Sequence, residues 1–156
     1  MGSIKSEVDS SFLALVESGN IRYTTLPVAA LATLLVSDGV VAAWAWAPYI
    51  QVVAAAVAPD PCWLCGISVH TGVVETFEGD IAVASGAGAA EVDLAMFHVV
   101  SGIPTAVGVS TAGPLFLPYP IRVVASPRFA VRLRKSSAAS AAGCSVKLIV
   151  AAAVGT

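Results

Sequence analysis

One stretch, Phe77 to His98, limits the possible folds more than any other part of the sequence. Polar and apolar residues alternate there with a period of two on both sides of a small, glycine-rich centre, which is typical of half-buried strands. In the first half, Ile81 and Val83 share one face, and Glu78 and Asp80 share the other. Glycine in the centre permits the positive φ angles of a tight turn. The stretch therefore predicts two strands joined by a compact turn.

The second half of this stretch predicts one face with Val92, Leu94 and Met96 and an opposite face with Glu91 and Asp93. The glycines of the centre resemble the start of a dinucleotide-binding loop, but Glu91 occupies the position of the third glycine. A carboxylate there would repel phosphate, and a strand-like pattern follows instead of a helix. The centre is therefore interpreted as a structural turn, with no nucleotide cofactor.

The composition indicates one domain that buries much of its surface against other molecules. The chain has 156 residues, of which 57% are hydrophobic and 12% are charged, about half the usual charged share. A net charge of −2 gives no field that would attract nucleic acid. A monomer with so few charges would expose a large apolar surface, so we expect contacts with copies of itself or with a partner.

Val40 to Ala58 is an uncharged stretch of 19 residues, long enough to raise the question of a membrane span. Pro48 and Gln51 lie near its middle, and Asp38 and Asp60 flank it in place of basic residues. Two short buried strands are favoured over a transmembrane helix. No signal peptide is evident at the N-terminus, and we expect no membrane partner.

Turn signals separate about eight short apolar runs along the chain, which predicts an all-β fold. We expect an antiparallel β-sandwich of jelly-roll type formed by residues 21–156, preceded by an N-terminal arm or short helix in residues 1–20. In the arm, Ser10-Ser11 is a candidate helix cap. Residues 99–120 are rich in proline and glycine and predict a long loop with one short strand near residues 106–110.

The three cysteines, Cys62, Cys65 and Cys144, do not form the pattern of a secreted disulfide framework. Cys62 and Cys65 form a CxxC motif, but residues three apart in a strand point to opposite faces, so one strand cannot present both sulfurs to one metal. A zinc site would need additional ligands, and His70 and His98 are widely scattered. Structural thiols are favoured over metal or redox chemistry, and no metal or cofactor is predicted.

Charge is concentrated in two segments. Five of the ten acidic residues lie within 75–93, and five of the eight basic residues lie within 122–135. The acidic strands and the basic strand are predicted to pair across one sheet or across a subunit interface. A solvated outer face is the alternative, and nucleic-acid contact is not expected. The candidate interface residues are Glu78, Asp80, Glu91, Asp93, Arg128, Arg132 and Arg134.

Three segments together resemble β-sandwich virion proteins of tailed bacteriophages: FEGDIAVASGAGAAE, PLFLPYPIRVVASPRFAVRLRKSS and SVKLIVAAA. The resemblance covers roughly residues 63–153. It implies a non-enzymatic capsid decoration or cement protein, or a related head or tail component, made in the host cytoplasm and located in the virion. The implied partners are the chain itself, as a homo-oligomer such as a trimer, and a major capsid protein.

Two other functions are considered. The first is a receptor- or carbohydrate-binding module of a fibre or spike, in which Trp44, Trp46, Tyr49, Trp63 and Tyr119 would stack on sugars. The second is a jelly-roll enzyme with a metal. The sequence contains no GxSxG, P-loop or HExxH motif, so no catalytic residue is predicted.

Overall fold

The computed structural model describes residues 9–27, 34–36, 42–54, 57–71, 77–86, 88, 90–101, 110–124, 128–136 and 144–155. Within these ranges the chain forms one helix and nine strands. They are α1 (Ser10–Glu17), β1 (Ile21–Leu26), β2 (Leu34–Val36), β3 (Ile50–Val53), β4 (Cys62–Thr71), β5 (Phe77–Ser85), β6 (Val92–Ser101), β7 (Ser110–Val123), β8 (Phe129–Lys135) and β9 (Cys144–Ala153).

The strands form two antiparallel sheets. Sheet A has the order β1-β9-β4-β7, with β2 also pairing with β9, and sheet B has the order β3-β8-β5-β6. If β1 and β2 are taken as one interrupted strand, the first strand pairs with the last, β3 with β8, β4 with β7, and β5 with β6. The β4–β9 and β5–β8 pairs join these four nested pairs into two sheets. This is the connectivity of a jelly roll. The predicted all-β antiparallel sandwich is confirmed.

The core lies between the two sheets, because alternate residues of each strand point inward. On β8, for example, Phe129, Val131 and Leu133 are fully buried. Truncating a buried phenylalanine such as Phe129 to alanine typically costs about 3–5 kcal/mol. The strands contribute to the core Leu26, Val53, Cys62, Leu64, Ile67, Val69, Ile81, Val83, Phe97, Val99, Val123, Phe129, Val131, Leu133, Cys144, Val146, Leu148 and Val150.

The hairpin predicted for residues 77–98 is formed by β5 and β6. The faces assigned to β5 are correct, because Ile81 and Val83 lie in the core. The faces assigned to β6 hold as far as Leu94, which packs against the core, and are reversed beyond it, because Phe97 is buried whereas Met96 is 59% exposed. A register shift lies between the pairs Val83↔Ala95 and Ala84↔Asp93, so the extra residue reverses the alternation along β6. An inserted residue of this kind leaves no signal in a two-residue period.

The long loop predicted for residues 99–120 is also wrong over its described part. β6 continues to Ser101, and β7 is a strand of 14 residues that begins at Ser110. Most of the short strand expected at 106–110 lies outside the described residues. β7 lies at the edge of sheet A, where proline is tolerated because one side of the strand needs no ladder donors. Its prolines therefore mark an edge strand here.

The described part of the N-terminal arm packs against sheet A of the same chain. Asp9, and not Ser10-Ser11, caps α1, because its carboxylate accepts from the backbone N–H of Ser11 at 2.8 Å. The other Asp9 carboxylate oxygen accepts from Nε1 of Trp63 on β4 at 3.1 Å. Phe12 packs on the Trp63 ring, with the two centroids 6.0 Å apart. The helix thus covers the outer face of β4.

The uncharged stretch from Val40 to Ala58 contains β3, at Ile50–Val53. A second strand predicted at its start is absent from its described part, where residues 42–49 are irregular. Among the described residues of the chain, none belongs to a helix with the length and hydropathy needed to cross a membrane.

Candidate functional site on the outer face of sheet B

The acidic hairpin and the basic strand meet on the outer face of sheet B, within one chain. β5 pairs with β6 on one side and β8 on the other, so His98, Asp80 and Arg134 form one row across three strands. Asp80 Oδ1 lies 2.7 Å from His98 Nδ1, and Asp80 Oδ2 accepts from Arg134 Nε at 2.8 Å. The predicted pairing of the two charged segments across a sheet therefore occurs inside the subunit.

Asp80 supplies the carboxylate of this row and is buried, with 6% of its surface exposed. Burial raises the pKa of the Asp80 carboxyl, but the hydrogen bonds from His98 and Arg134 outweigh this effect, and the pKa lies below its ordinary value of 3.8. The carboxylate is therefore ionised at neutral pH and fixes the position of the Arg134 guanidinium.

Beside this row, aromatic and guanidinium groups alternate along the edge of the sheet. The Arg134 guanidinium lies 5.8 Å from the Trp44 ring centroid and 4.6 Å from that of Trp46. The Arg132 guanidinium lies 4.5 Å from the Trp46 centroid and 4.6 Å from that of Tyr49. We call these five residues the arginine–aromatic row. Each such contact contributes about 0.5–1 kcal/mol at an exposed site and more when desolvated.

The backbone places the aromatic residues where they can reach the arginines. Trp44 N–H donates to the Lys135 carbonyl at 2.7 Å, and Ala47 N–H donates to the Leu133 carbonyl at 2.9 Å. The irregular segment before β3 therefore runs alongside β8 and extends its pairing. Trp44 has φ 60, in the left-handed region that is uncommon for a residue other than glycine. Such strained residues persist only where the surrounding contacts hold them.

Asp93 lies at the Tyr49 end of the arginine–aromatic row. Its carboxylate accepts hydrogen bonds from Arg132 Nη2 and, at 2.7 Å, from the Tyr49 hydroxyl. Tyr49 has a raised pKa, because its hydroxyl is partly buried and donates to the Asp93 carboxylate. One carboxylate on β6 thus joins the edge segment to β8.

The three remaining candidate interface residues, Arg128, Glu91 and Glu78, lie outside the arginine–aromatic row. Arg128 donates to Gln51 Oε1 at 2.9 Å and to the Gly86 carbonyl at 3.3 Å, and its Nη1 lies 3.8 Å from Glu91 Oε1. Glu78 is exposed, and its backbone carbonyl accepts from the Ser136 N–H at 2.9 Å. Six of the seven candidate residues therefore take part in side-chain ion pairs of this chain, whereas Glu78 contributes a backbone contact. Their role as an intermolecular interface stays a prediction.

The sequence identified the charged half of this site and missed its aromatic half. Trp44, Trp46 and Tyr49 were considered as sugar-stacking residues, but Trp46 and Tyr49 pack on guanidinium groups. Trp63 is buried beneath α1, and Tyr119 lies on β7 in the other sheet, so the five aromatic residues do not form one cleft. The close spacing of Trp44, Trp46 and Tyr49 was the available signal, but it did not reveal that the segment borders β8.

The cysteines are buried in two different places. Cys62 and Cys144 lie in the core, and Cys65 lies under α1 with Trp63. Cys62 and Cys65 therefore face opposite sides of β4, as predicted. All three are free thiols. Burial raises the pKa of Cys62 and Cys144 to about 12 and that of Cys65 to about 11. Among the described residues, no group of three or more His, Cys, Asp or Glu side chains is arranged to hold a metal ion.

The nested strand order defines the class of this protein as an all-β jelly-roll sandwich. The chain matches no protein-family model and no curated protein sequence. Among solved structures, a chain in the structure of infectious bursal disease virus, Gx strain, matches with 18% identity and a TM-score of 0.41. The match covers 87% of the present chain and 33% of that chain, so the present chain spans about a third of its length.

Proposed function

We propose that this chain is a non-enzymatic structural protein of a virion, a jelly-roll subunit that associates with copies of itself. The observation that carries the proposal is apolar exposure on the outer face of sheet A. Phe116 on β7 is 63% exposed and Tyr23 on β1 is 55% exposed, and both line the same hollow. Contiguous apolar surface of this kind on a folded domain marks an interaction site.

The fold and the composition support the same proposal. Jelly rolls occur in viral capsids, but they also occur in lectins and cupins, so the fold alone does not assign a function. With 12% charged residues, the chain has few groups that would keep a monomer soluble. The finer assignment, a decoration or cement protein that contacts a major capsid protein, rests on the resemblance of residues 63–153 to virion proteins of tailed bacteriophages.

The test is the native mass of the purified protein, measured by light scattering over a dilution series, together with negative-stain electron microscopy. The proposal predicts a homo-oligomer of defined number and particles of uniform size. A monomer at every concentration up to the solubility limit would contradict self-association.

A carbohydrate- or receptor-binding module is the second candidate, and Trp44 favours it. Its side chain lies at the end of the arginine–aromatic row and is 43% exposed. Exposed indole rings stack on sugars. Binding of wild-type protein on a glycan array, lost in Trp44→Ala, would support this candidate, and Trp63→Phe is a control because Trp63 is buried beneath α1.

A further inference from the structure

An apolar groove lies on the outer face of sheet A, between α1 and β7. Its volume is about 500 Å³, and it is open to solvent. Cys65 and Ile149 belong to the cluster beneath α1, on the side of the sheet away from the core. The groove is lined by Phe12, Tyr23, Cys65, Phe116, Leu117, Pro118, Pro120 and Ile149, none of which is charged.

A bulge in β7 forms one wall of the groove. Leu64 pairs with Ile121 and Gly66 pairs with Phe116, so the four residues 117–120 stand opposite Cys65 alone. Bulged residues leave the ladder and bend the strand, and prolines at two of the four positions could not donate to a ladder. Phe116 at the start of the bulge is 63% exposed.

Tyr23 on β1 forms a ridge beside the groove. Its side chain is 55% exposed, and it also borders a second hollow of about 360 Å³ with Thr24, Thr25 and Ile149. The exposed Tyr23 ring and two hollows therefore lie side by side on one face. A surface that holds both shapes can be complementary to itself, because a two-fold axis can place each ridge against the hollow of the other copy.

We propose that this face of sheet A is the contact between two copies of the chain, with Tyr23 and Phe116 of each copy inserted against the other's groove. The inference rests on the proposed self-association and assigns a surface to it. The lining has no charged side chain, whereas recognition of a sugar needs several converging polar groups. A second copy brings the same uncharged aromatic lining to the contact.

The area available is consistent with such a contact. Two half-exposed aromatic rings from each copy offer roughly 400 Å² in total, since each ring buries about 150–250 Å² when fully covered. Phe12 of α1, which forms the other wall, adds a further aromatic ring to the lining. Together with the groove walls, these residues supply the apolar centre of an interface near the lower end of the standard size, about 1,200 Å².

The inference is tested by placing a charge on the contact. Phe116→Glu and Tyr23→Glu introduce a carboxylate into the groove region, and Met96→Glu introduces one at a similarly exposed apolar position on sheet B as the matched control. Sedimentation velocity over a dilution series measures the dissociation constant of each variant, and circular dichroism checks its fold. We expect the two groove variants to associate at least about tenfold more weakly than wild type, and Met96→Glu to associate like wild type.

Hydrogen exchange of the wild-type protein provides a measurement without any substitution. Residues 116–121 should exchange faster in dilute than in concentrated samples, whereas residues 78–84 in sheet B should not change. An oligomeric wild type with unaffected groove variants, an equal loss in Met96→Glu, or a concentration effect on residues 78–84 alone would overturn the assigned surface and leave the proposed function standing. A monomeric wild type would overturn both.

Discussion

Asp80 connects three strands through one side chain. It lies on β5, its two oxygens bond to His98 on β6 and Arg134 on β8, and it is almost completely buried. A buried carboxylate with two charged or polar partners stabilises the fold only while all three are present, because removing one leaves the others without compensation. The position of Arg134, and with it the end of the arginine–aromatic row, depends on this carboxylate.

Replacing Asp80 with Asn should therefore destabilise the protein by about 1–2 kcal/mol, since a hydrogen-bonded charge is lost while both partners are partly exposed to water. Urea denaturation followed by circular dichroism measures the effect. Asp93→Asn is the matched control, because Asp93 also pairs with an arginine but its side chain is 41% exposed, and its cost should be under about 1 kcal/mol. Equal costs for the two variants would contradict the role assigned to burial.

The same carboxylate makes stability depend on pH in a defined direction. Burial raises the pKa of Asp80, but the hydrogen bonds from His98 and Arg134 lower it by a larger amount. The pKa in the folded state therefore lies below the ordinary 3.8. The stabilisation is fully present at pH values above the pKa of Asp80 in the unfolded state. It is lost as the pH falls through the lower pKa of Asp80 in the folded state. Urea midpoints of the wild type should therefore decrease more steeply than those of Asp80→Asn when the pH falls below about 5. Parallel curves for the two proteins would rule out this contribution.

For individual residues, the sequence predicts which strand faces carry charged side chains but not which of these side chains form ion pairs. The alternation on β8 placed Arg132 and Arg134 on one face, and the structure has them there, opposite the buried Val131 and Leu133. Contacts between strands depend on register, which the two-residue period leaves free. The aromatic partners of the arginines come from a segment with no period at all.

Among the elements, β4 and β7 approach each other at Gly66 more closely than a residue with a Cβ atom would allow. A Cβ atom at Gly66 would lie 2.2 Å from the carbonyl oxygen of Leu115 and 3.0 Å from the Cα of Phe116. Both are backbone atoms, so they cannot move aside as the end of a side chain would. Glycine at this position permits the pairing that resumes next to the bulge of β7.

Gly66→Ala should therefore be strongly destabilising, by about 3 kcal/mol or more, because β7 would have to move away from β4. Soluble yield and the urea midpoint measure this. Gly88→Ala serves as the control, since its new Cβ would lie 3.4 Å from an Arg128 side-chain nitrogen and meet no backbone atom. A Gly66→Ala protein as stable as the Gly88→Ala protein would show that the two strands tolerate separation.

The elements also show where sequence patterns stop being informative. β5 and β8 were predicted well, because uninterrupted alternation marks them and their inward residues are buried. β9 was predicted from its apolar run after a turn of small residues. The faces of β6 beyond Leu94 were reversed by one extra residue, and β7 was taken for a loop because of its prolines. Bulges and edge positions are properties of the sheet, so no local pattern in either strand reports them.

For the molecule as a whole, the burial of Cys62 and Cys144 in the core makes the reactivity of these two thiols a measure of global unfolding. A pKa of about 12 for Cys62 and Cys144, against an ordinary 9.0, reduces the thiolate fraction at neutral pH on the order of 1,000-fold, and burial also excludes reagents. Cys65 differs because it lies beneath α1 on the outside of the sheet, where local opening of the helix suffices to expose it.

Labelling with a thiol reagent at neutral pH should therefore be slow in the native protein and fast for all three cysteines in guanidinium chloride. Under partially denaturing conditions Cys65 should react first, which mass spectrometry of labelled peptides can resolve. Rapid native labelling of Cys62 or Cys144 with an unchanged circular dichroism spectrum would contradict the buried positions of these residues.

The position of β9 in sheet A has a consequence for synthesis of the chain on the ribosome. β9 pairs with β1, β2 and β4, so a strand translated after all three of them occupies the middle of the sheet and separates β1 from β4. Until it emerges, sheet A cannot close. Ile149, which lines both hollows of the proposed contact, lies on that same strand. A nascent chain from which β9 has not yet emerged therefore lacks the proposed contact, and under the proposal it cannot associate through this face.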